Sequence, residues 1–252
     1  MAILLLKKSY LLNSLKEVPF KDLWGSRGVF TTMRMFGKPP RLLLLKSHLN
    51  NLIYSAKKYG IKKNNLKNIL KDLIKKNSVY KGPDNLFRIA LNKKLISISI
   101  RKRPKSSKNF NLLLFKYKRI DPNYKNLYYK KIIAKLSKLN PTRFDIALVS
   151  NKKILETGTS NLVFVKNGKI YSPKKNCYFG NTIKFINKKI KINFKEISIN
   201  EIDDFDEIML IGSGKGITSV SRIDELNWKR KKSICYNKIK KIYNLSRLNA
   251  KD

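Results

Sequence analysis

In the stretch Leu95–Arg101, Ile96, Ile98 and Ile100 alternate strictly with Ser97, Ser99 and Arg101. Successive side chains on a strand point to opposite faces, so this period of two predicts a strand buried on one side only. Such a strand needs a layer over its apolar face, and helical signals precede it. Leu66, Ile69, Leu70, Leu73 and Ile74 recur at helical spacing, with Asn64 or Asn65 placed to cap the first turn. An earlier helix is expected over Leu44–Lys58, closing near Gly60. Beyond them the pattern predicts a helix around Asn126–Leu139 and a strand at Phe144–Val149. A hairpin follows, Asn161–Val165 with Lys169–Tyr171, turning through Asn167-Gly168. Asp206–Gly212 reads as a strand and Ser233–Leu245 as a closing helix. Elements mixed in this order predict an α/β (α+β) fold. The polar, basic stretch Lys102–Lys108 reads as an interdomain connection. It separates a small N-terminal α/β domain, 1–106, from a larger C-terminal domain, 110–252.

Charge narrows the function classes less than its size suggests. The chain carries 57 Lys+Arg against 16 Asp+Glu, a formal +41. Only 11 of the basic residues are Arg, and Asn and Ile abound beside the lysines. These residue types share A/T-rich codons, so mutational bias suffices to explain the excess. Readers of nucleic-acid sequence favour Arg for bidentate contacts, so a specific nucleic-acid partner is not expected. Cys177 and Cys235 make no disulfide framework, and with His48 the single histidine no metal site is expected. The apolar run Ala2–Leu6 is far shorter than a membrane span. The expectation is a cytoplasmic, soluble protein.

Three segments carry the features of an anion site. Leu155-Glu156-Thr-Gly-Thr-Ser-Asn-Leu-Val-Phe164 sets a carboxylate before a glycine turn and a second strand. Gly180-Asn181-Thr182 opens a helix expected over Ile183–Ile190, where free N–H groups would suit a phosphate. Gly212-Ser213-Gly214-Lys-Gly-Ile-Thr218 follows a strand and again offers amides and hydroxyls, without the full P-loop pattern of an NTPase.

Taken in order, these segments resemble fold-type IV pyridoxal-phosphate enzymes, the class IV aminotransferase family, from about Trp24 to Asp224. Asp145-Ile-Ala-Leu-Val, Ile154–Phe164 and Asn167-Gly-Lys-Ile-Tyr-Ser-Pro173 match the family's densest block. The resemblance implies pyridoxal 5'-phosphate bound as a Schiff base on Lys125, 20 residues before Asp145 and 31 before Glu156, with Lys130 and Lys131 as competitors. It gives Glu156 the role of pairing with the pyridine nitrogen, and Asn181, Thr182, Ser213 and Gly214 that of holding the phosphate. The family's His-x-x-Arg-Leu reads His48-Leu-Asn-Asn51-Leu52 here, so an uncharged Asn51 stands where relatives carry a phosphate-binding arginine. Ile183 likewise replaces an arginine common in relatives. His48 itself is read as structural.

Gly28-Val-Phe30-Thr31-Thr32-Met-Arg34 bears on the substrate. Phe-Thr-Thr-x-Arg resembles aminodeoxychorismate lyase within the family, where many transaminases have Glu after the Phe. Thr32 and Arg34 are therefore expected to bind a small anionic substrate, with Thr31 beside them. The implied activity is a lyase releasing pyruvate and 4-aminobenzoate for folate synthesis. A branched-chain or D-amino-acid aminotransferase is the alternative, and a non-catalytic or RNA-binding descendant a further one. A homodimer is implied by resemblance alone.

Overall fold

The computed structural model of the chain describes residues 4–248. Contacts divide it into two units: residues 4–103 with Tyr124–Lys130, and Pro104–Asn123 with 131–248.

The first unit is a six-stranded sheet under two helices. Its strands are β1 (Leu4–Leu11), β2 (Glu17–Val18), β3 (Gly28–Phe36), β4 (Arg41–Leu42), β5 (Asp84–Asn92) and β6 (Leu95–Lys102). They order as β2-β1-β6-β5-β3-β4, every pair antiparallel. The alternation in Ile96–Arg101 does what its period demands. Ile96, Ile98 and Ile100 join Val29, Met33, Met35, Phe87, Ile89 and Leu91 in one buried cluster. Helices α1 (Leu45–Lys58) and α2 (Leu66–Asn77) cover it through Leu49, Leu52, Ala56, Leu70, Leu73 and Ile74. The intervening positions, Thr32, Arg34, Arg88, Ser97, Ser99 and Arg101, belong to the opposite face. Asn65 does sit at the start of α2, but in the left-handed conformation (φ 53°) and without a side-chain cap bond. It starts the helix through its backbone carbonyl, which accepts the Asn68 and Ile69 amides, and not through its side chain.

The second unit holds a ten-stranded mixed sheet. In chain order the strands are β7 (Phe110–Lys116), β8 (Phe144–Ser150), β9 (Lys153–Thr157), β10 (Asn161–Lys166), β11 (Lys169–Pro173), β12 (Asn193–Lys195), β13 (Ile197–Ser198), β14 (Glu207–Gly212), β15 (Gly216–Ile223) and β16 (Trp228–Lys229). The order is β12-β11-β10-β14-β15-β7-β8-β9-β13, with β16 beside β15. The β10–β11 hairpin turns through Asn167 and Gly168, both at positive φ (50° and 72°), the geometry that Asn-Gly favours. Phe110, Leu112, Leu162, Phe164, Ile208, Leu210, Val220 and Trp228 fill its core. Helix α4 (Asn181–Asn187) follows β11, and α5 (Ile234–Leu248) ends the described chain. The buried Glu207 carboxylate accepts the Cys235 and Tyr236 amides at 2.9 and 2.8 Å, capping α5 across the sheet.

One expected element is shorter than its sequence suggested. The helix placed at Asn126–Leu139 is α3, Lys130–Leu136. Residues before it lie along β3 instead: Phe30 N donates to Lys125 O, Leu127 N to Gly28 O, and Gly25 N to Leu127 O, at 2.7–2.9 Å. Backbone groups spent on a strand edge cannot also open a helix. For the same reason Tyr124–Lys130 groups with the first unit, although it falls inside the 110–252 range assigned to the second domain.

Candidate active site

The segment carrying Lys125 is held to the first unit by aromatic contacts as well as by backbone bonds. Tyr124 stacks on Tyr54 (6.0 Å between centroids) and meets Tyr59 edge-on, while Tyr129 packs against Trp24 and Phe30. The Lys125 ammonium lies 4.8 Å from the centre of the Phe30 ring. A cation over an aromatic face is stabilised there, which fixes where this long side chain points. The other two lysines are engaged elsewhere. Lys130 lies against Gly25, where any Cβ would strike its side chain, and Lys131 sits over Tyr117.

Thr31 and Thr32 separate by strand alternation. Thr31 turns into the core, its Oγ1 2.7 Å from His48 Nδ1. Burial, helped by the Lys125 charge, pushes the His48 pKa down to about 3, so the ring is neutral. Thr31 is thus a core partner, and only Thr32 stays with the polar face. There it stands directly across from Arg88 on β5. Arg88 donates to Asp22 at 3.0 Å and stacks 4.6 Å from the Trp24 ring, yet its Nε is buried with no hydrogen-bond partner.

Arg34, expected at the substrate, is paired with Asp84 within the first unit. Its Nε and NH2 grip both oxygens of Asp84 at 2.8 and 2.6 Å, and Arg103 Nε bonds the same carboxylate. Burial alone would push the Asp84 carboxyl up, but the two guanidinium groups override it and hold it below the usual range. A planar fork matched to a carboxylate is already satisfied in this pairing.

In the second unit Glu156 lies one residue from the end of β9, almost fully buried. Arg119 Nε donates to its Oε1 at 2.6 Å, and the Tyr178 amide to its Oε2 at 3.3 Å. The Arg119 side chain is 0% exposed and also donates to the Pro122 carbonyl at 2.6 Å. Cys177 feels the same site: burial, then the Glu156 charge, push its thiol up to about 12, leaving it inert.

The turn after Glu156 is built from beneath. Asp145, fully buried, accepts hydrogen bonds from Thr157 and Thr159 and from the Ile146 amide. Burial pushes its carboxyl up despite the nearby Lys215. Thr157 Oγ1 in turn receives the Ser160 amide at 2.8 Å. The turn delivers Asn161, whose Oδ1 accepts the Gly180 amide at 3.0 Å and whose Nδ2 holds the Tyr178 carbonyl. A Cβ at Gly180 would lie 2.8 Å from that Oδ1, and one at Gly212 would lie 2.6 Å from Ser160 Oγ. Glycine is needed at both for the chain to approach so closely. These approaches bring Thr182 Oγ1 within 3.2 Å of Ser213 Oγ, with Asn181 and Gly214 flanking them. The Glu156 carboxylate and the hydroxyl pair are thus set by one connected network.

The sequence profile described as amino-transferase class IV matches residues 28–223. The chain belongs to the class IV aminotransferase family. It is a pyridoxal-phosphate-dependent enzyme. Solved structures agree at the level of fold. A branched-chain aminotransferase from the archaeon Thermoproteus uzoniensis, with norvaline, superposes with TM-score 0.75 at 18% identity, over 94% of this chain and 93% of that one. A hypothetical aminotransferase from Mycobacterium tuberculosis in its PLP-bound form gives 0.72 at 14%, over 98% and 100%. A mutant branched-chain amino acid aminotransferase from Thermobaculum terrenum gives 0.71 at 17%, over 94% and 91%. No curated protein matches the chain in sequence.

The residues present fit the cofactor. In the second unit, a buried carboxylate held beside a guanidinium suits a protonated ring nitrogen, and adjacent hydroxyls from α4 and the β14–β15 turn suit a phosphate. Among the described residues, no cluster of His, Cys, Asp and Glu could hold a metal, and no helix is long and apolar enough to cross a membrane. Arg119 is the residue that sequence reasoning missed; its signal was an arginine in a lysine-rich chain, six residues before Lys125.

Proposed function

We propose that the enzyme is an aminodeoxychorismate lyase, forming 4-aminobenzoate and pyruvate, with Lys125 as the cofactor lysine and Glu156 as partner of the ring nitrogen. The observation that carries the substrate side is Thr32 standing across from Arg88, whose Nε is buried without a partner. With Arg34 engaged by Asp84, Arg88 is the basic group directly across from Thr32 suited to a substrate carboxylate, and Thr32 adds a hydroxyl. Strand β3 carries no acidic residue that would repel a dianion there.

The bound cofactor supplies an electron sink for the carbon bearing the substrate amine. Lys125 takes the proton from that carbon and returns it to the departing enolpyruvyl group, whose C–O bond breaks as the ring becomes aromatic. Thr182, Ser213, Asn181 and Gly214 hold the phosphate. Thr32 and Arg88 orient the carboxylates. A homodimer in the cytoplasm completes the reading, and sedimentation tests its oligomeric part.

Branched-chain aminotransfer is the second reading, favoured by structural likeness to branched-chain enzymes along 94% of the chain. Incubation with aminodeoxychorismate decides between them. Release of 4-aminobenzoate and pyruvate in equal amounts supports the lyase. Ping-pong transfer from a branched-chain amino acid to 2-oxoglutarate, with no aminobenzoate, assigns the chain to the transaminases.

A further inference from the structure

We infer that Arg119 is a positioning residue for the cofactor ring, acting through Glu156. The inference rests on the reading of Glu156 as partner of the ring nitrogen. Among 57 basic residues, most of them lysines at the surface, Arg119 has a side chain with no exposure at all. Burying a guanidinium is costly unless its charge and donors are satisfied, so the site must repay that cost. Its Nε meets Glu156 Oε1 at 2.6 Å, and its NH2 is tied to the Pro122 carbonyl three residues on. The second bond matters because it anchors the cation to its own loop. Glu156 is then gripped from two directions, by Arg119 at one oxygen and by the Tyr178 amide at the other.

Two consequences follow for a group docked against this carboxylate. The guanidinium within hydrogen-bond reach favours the ionised carboxylate, the state that keeps a ring nitrogen protonated. The grip also removes rotamer freedom, so the ring meets a carboxylate already in place. A lysine at position 119 would supply the charge without the Nε–NH2 geometry that links Glu156 to Pro122.

The test is a cycle of wild type, Arg119→Met, Glu156→Gln and the double variant, each titrated with pyridoxal phosphate carrying an isotope-labelled ring nitrogen. The readouts are the ring-nitrogen NMR shift and cofactor affinity. Arg119→Met should move the shift toward the Glu156→Gln position and weaken binding by about tenfold or more, the loss expected for a charge-assisted bond. The double variant should match Glu156→Gln alone. Removing both members of a buried pair is better tolerated than removing one, so the double variant also guards against a misfolded single. If Arg119→Met does not fold, Arg119→Lys is compared with wild type: weakened binding with an unchanged ring-nitrogen shift supports the inference, and unchanged affinity overturns it. An Arg119→Met protein with wild-type shift and affinity also overturns it, as does an equal effect of that change in the Glu156→Gln background. Failure of wild type to bind the cofactor, or a Glu156→Gln shift identical to wild type, would instead overturn the underlying reading of Glu156.

Discussion

Thr31 Oγ1 and His48 Nδ1 lie 2.7 Å apart inside the first unit, joining β3 to α1 through a buried neutral imidazole. The hydroxyl that the Phe-Thr-Thr motif places next to Phe30 therefore belongs to the core. The pair has a consequence for stability. The His48 pKa is depressed to about 3 in the folded state, against an ordinary value of 6.5. A folded-state value below the unfolded one means that the unfolded chain binds the extra proton first. The stability from neutral burial is fully present above about pH 6.5 and falls steadily as pH drops toward 3. From pH 7 to pH 5 the loss should be about 2 kcal/mol. His48 is the chain's single histidine, so few other side chains titrate in that window. Urea melts at both pH values should show the loss in wild type, and His48→Gln should flatten it. Equal slopes in the two proteins would remove His48 as the cause.

Cofactor attachment is expected at Lys125. Borohydride reduction of the loaded enzyme, followed by peptide mapping, should place the pyridoxyl group there and nowhere on Lys130 or Lys131. Those two side chains are packed on Gly25 and Tyr117. Lys125→Ala should abolish turnover while the circular dichroism stays that of wild type. A label on Lys130 would mean that the register of the Tyr124–Lys130 segment is misassigned.

How much of this was legible depended on the range of the interaction. The Ile96–Arg101 alternation and the Asn167-Gly168 turn are local patterns, and both appear as β6 and the β10–β11 hairpin. The helix was expected from Asn126 to Leu139, but pairing of its first residues with β3 overrides that preference. Arg34 and Asp84 stand 50 residues apart, and Arg119 and Glu156 stand 37 apart. Ion pairs over such intervals leave no periodic trace. A motif match could name Arg34 but could not show that its fork was already taken.

That occupancy separates Arg34 from Arg88 on the polar face. Arg34→Met leaves Asp84 half-buried with one fewer guanidinium, which should cost about 2 kcal/mol of stability, below the 3–5 of a fully buried pair. Its effect on KM should be small. Arg88→Met removes the group across from Thr32 and should raise KM by about tenfold or more, a charge-assisted bond's worth. Thermal melts and steady-state kinetics on both variants test the division. A large KM effect from Arg34→Met with unchanged stability would return Arg34 to the substrate.

The positive charge should behave as background. It is spread in runs such as Lys67, Lys71, Lys75 and Lys76, all on the solvent face of α2 with Asp72 the one acid among them. Lysines of this kind attract any polyanion as point charges, without the planar fork that reads a base edge. Each phosphate they neutralise releases counterions, so affinity should fall linearly in log–log terms as salt rises. Filter binding to DNA duplexes of unrelated sequence should give equal affinities at low salt. Both should fall together by about a thousandfold or more between 50 and 200 mM salt, the loss expected for six or more phosphate contacts. Replacing Lys67, Lys71 and Lys75 by Gln should reduce the slope by up to about three contacts' worth and leave turnover unchanged, since none of them belongs to the proposed site. A duplex or RNA bound tightly near physiological salt, with unrelated sequences excluded, would show that the charge was selected for a partner rather than carried along by composition.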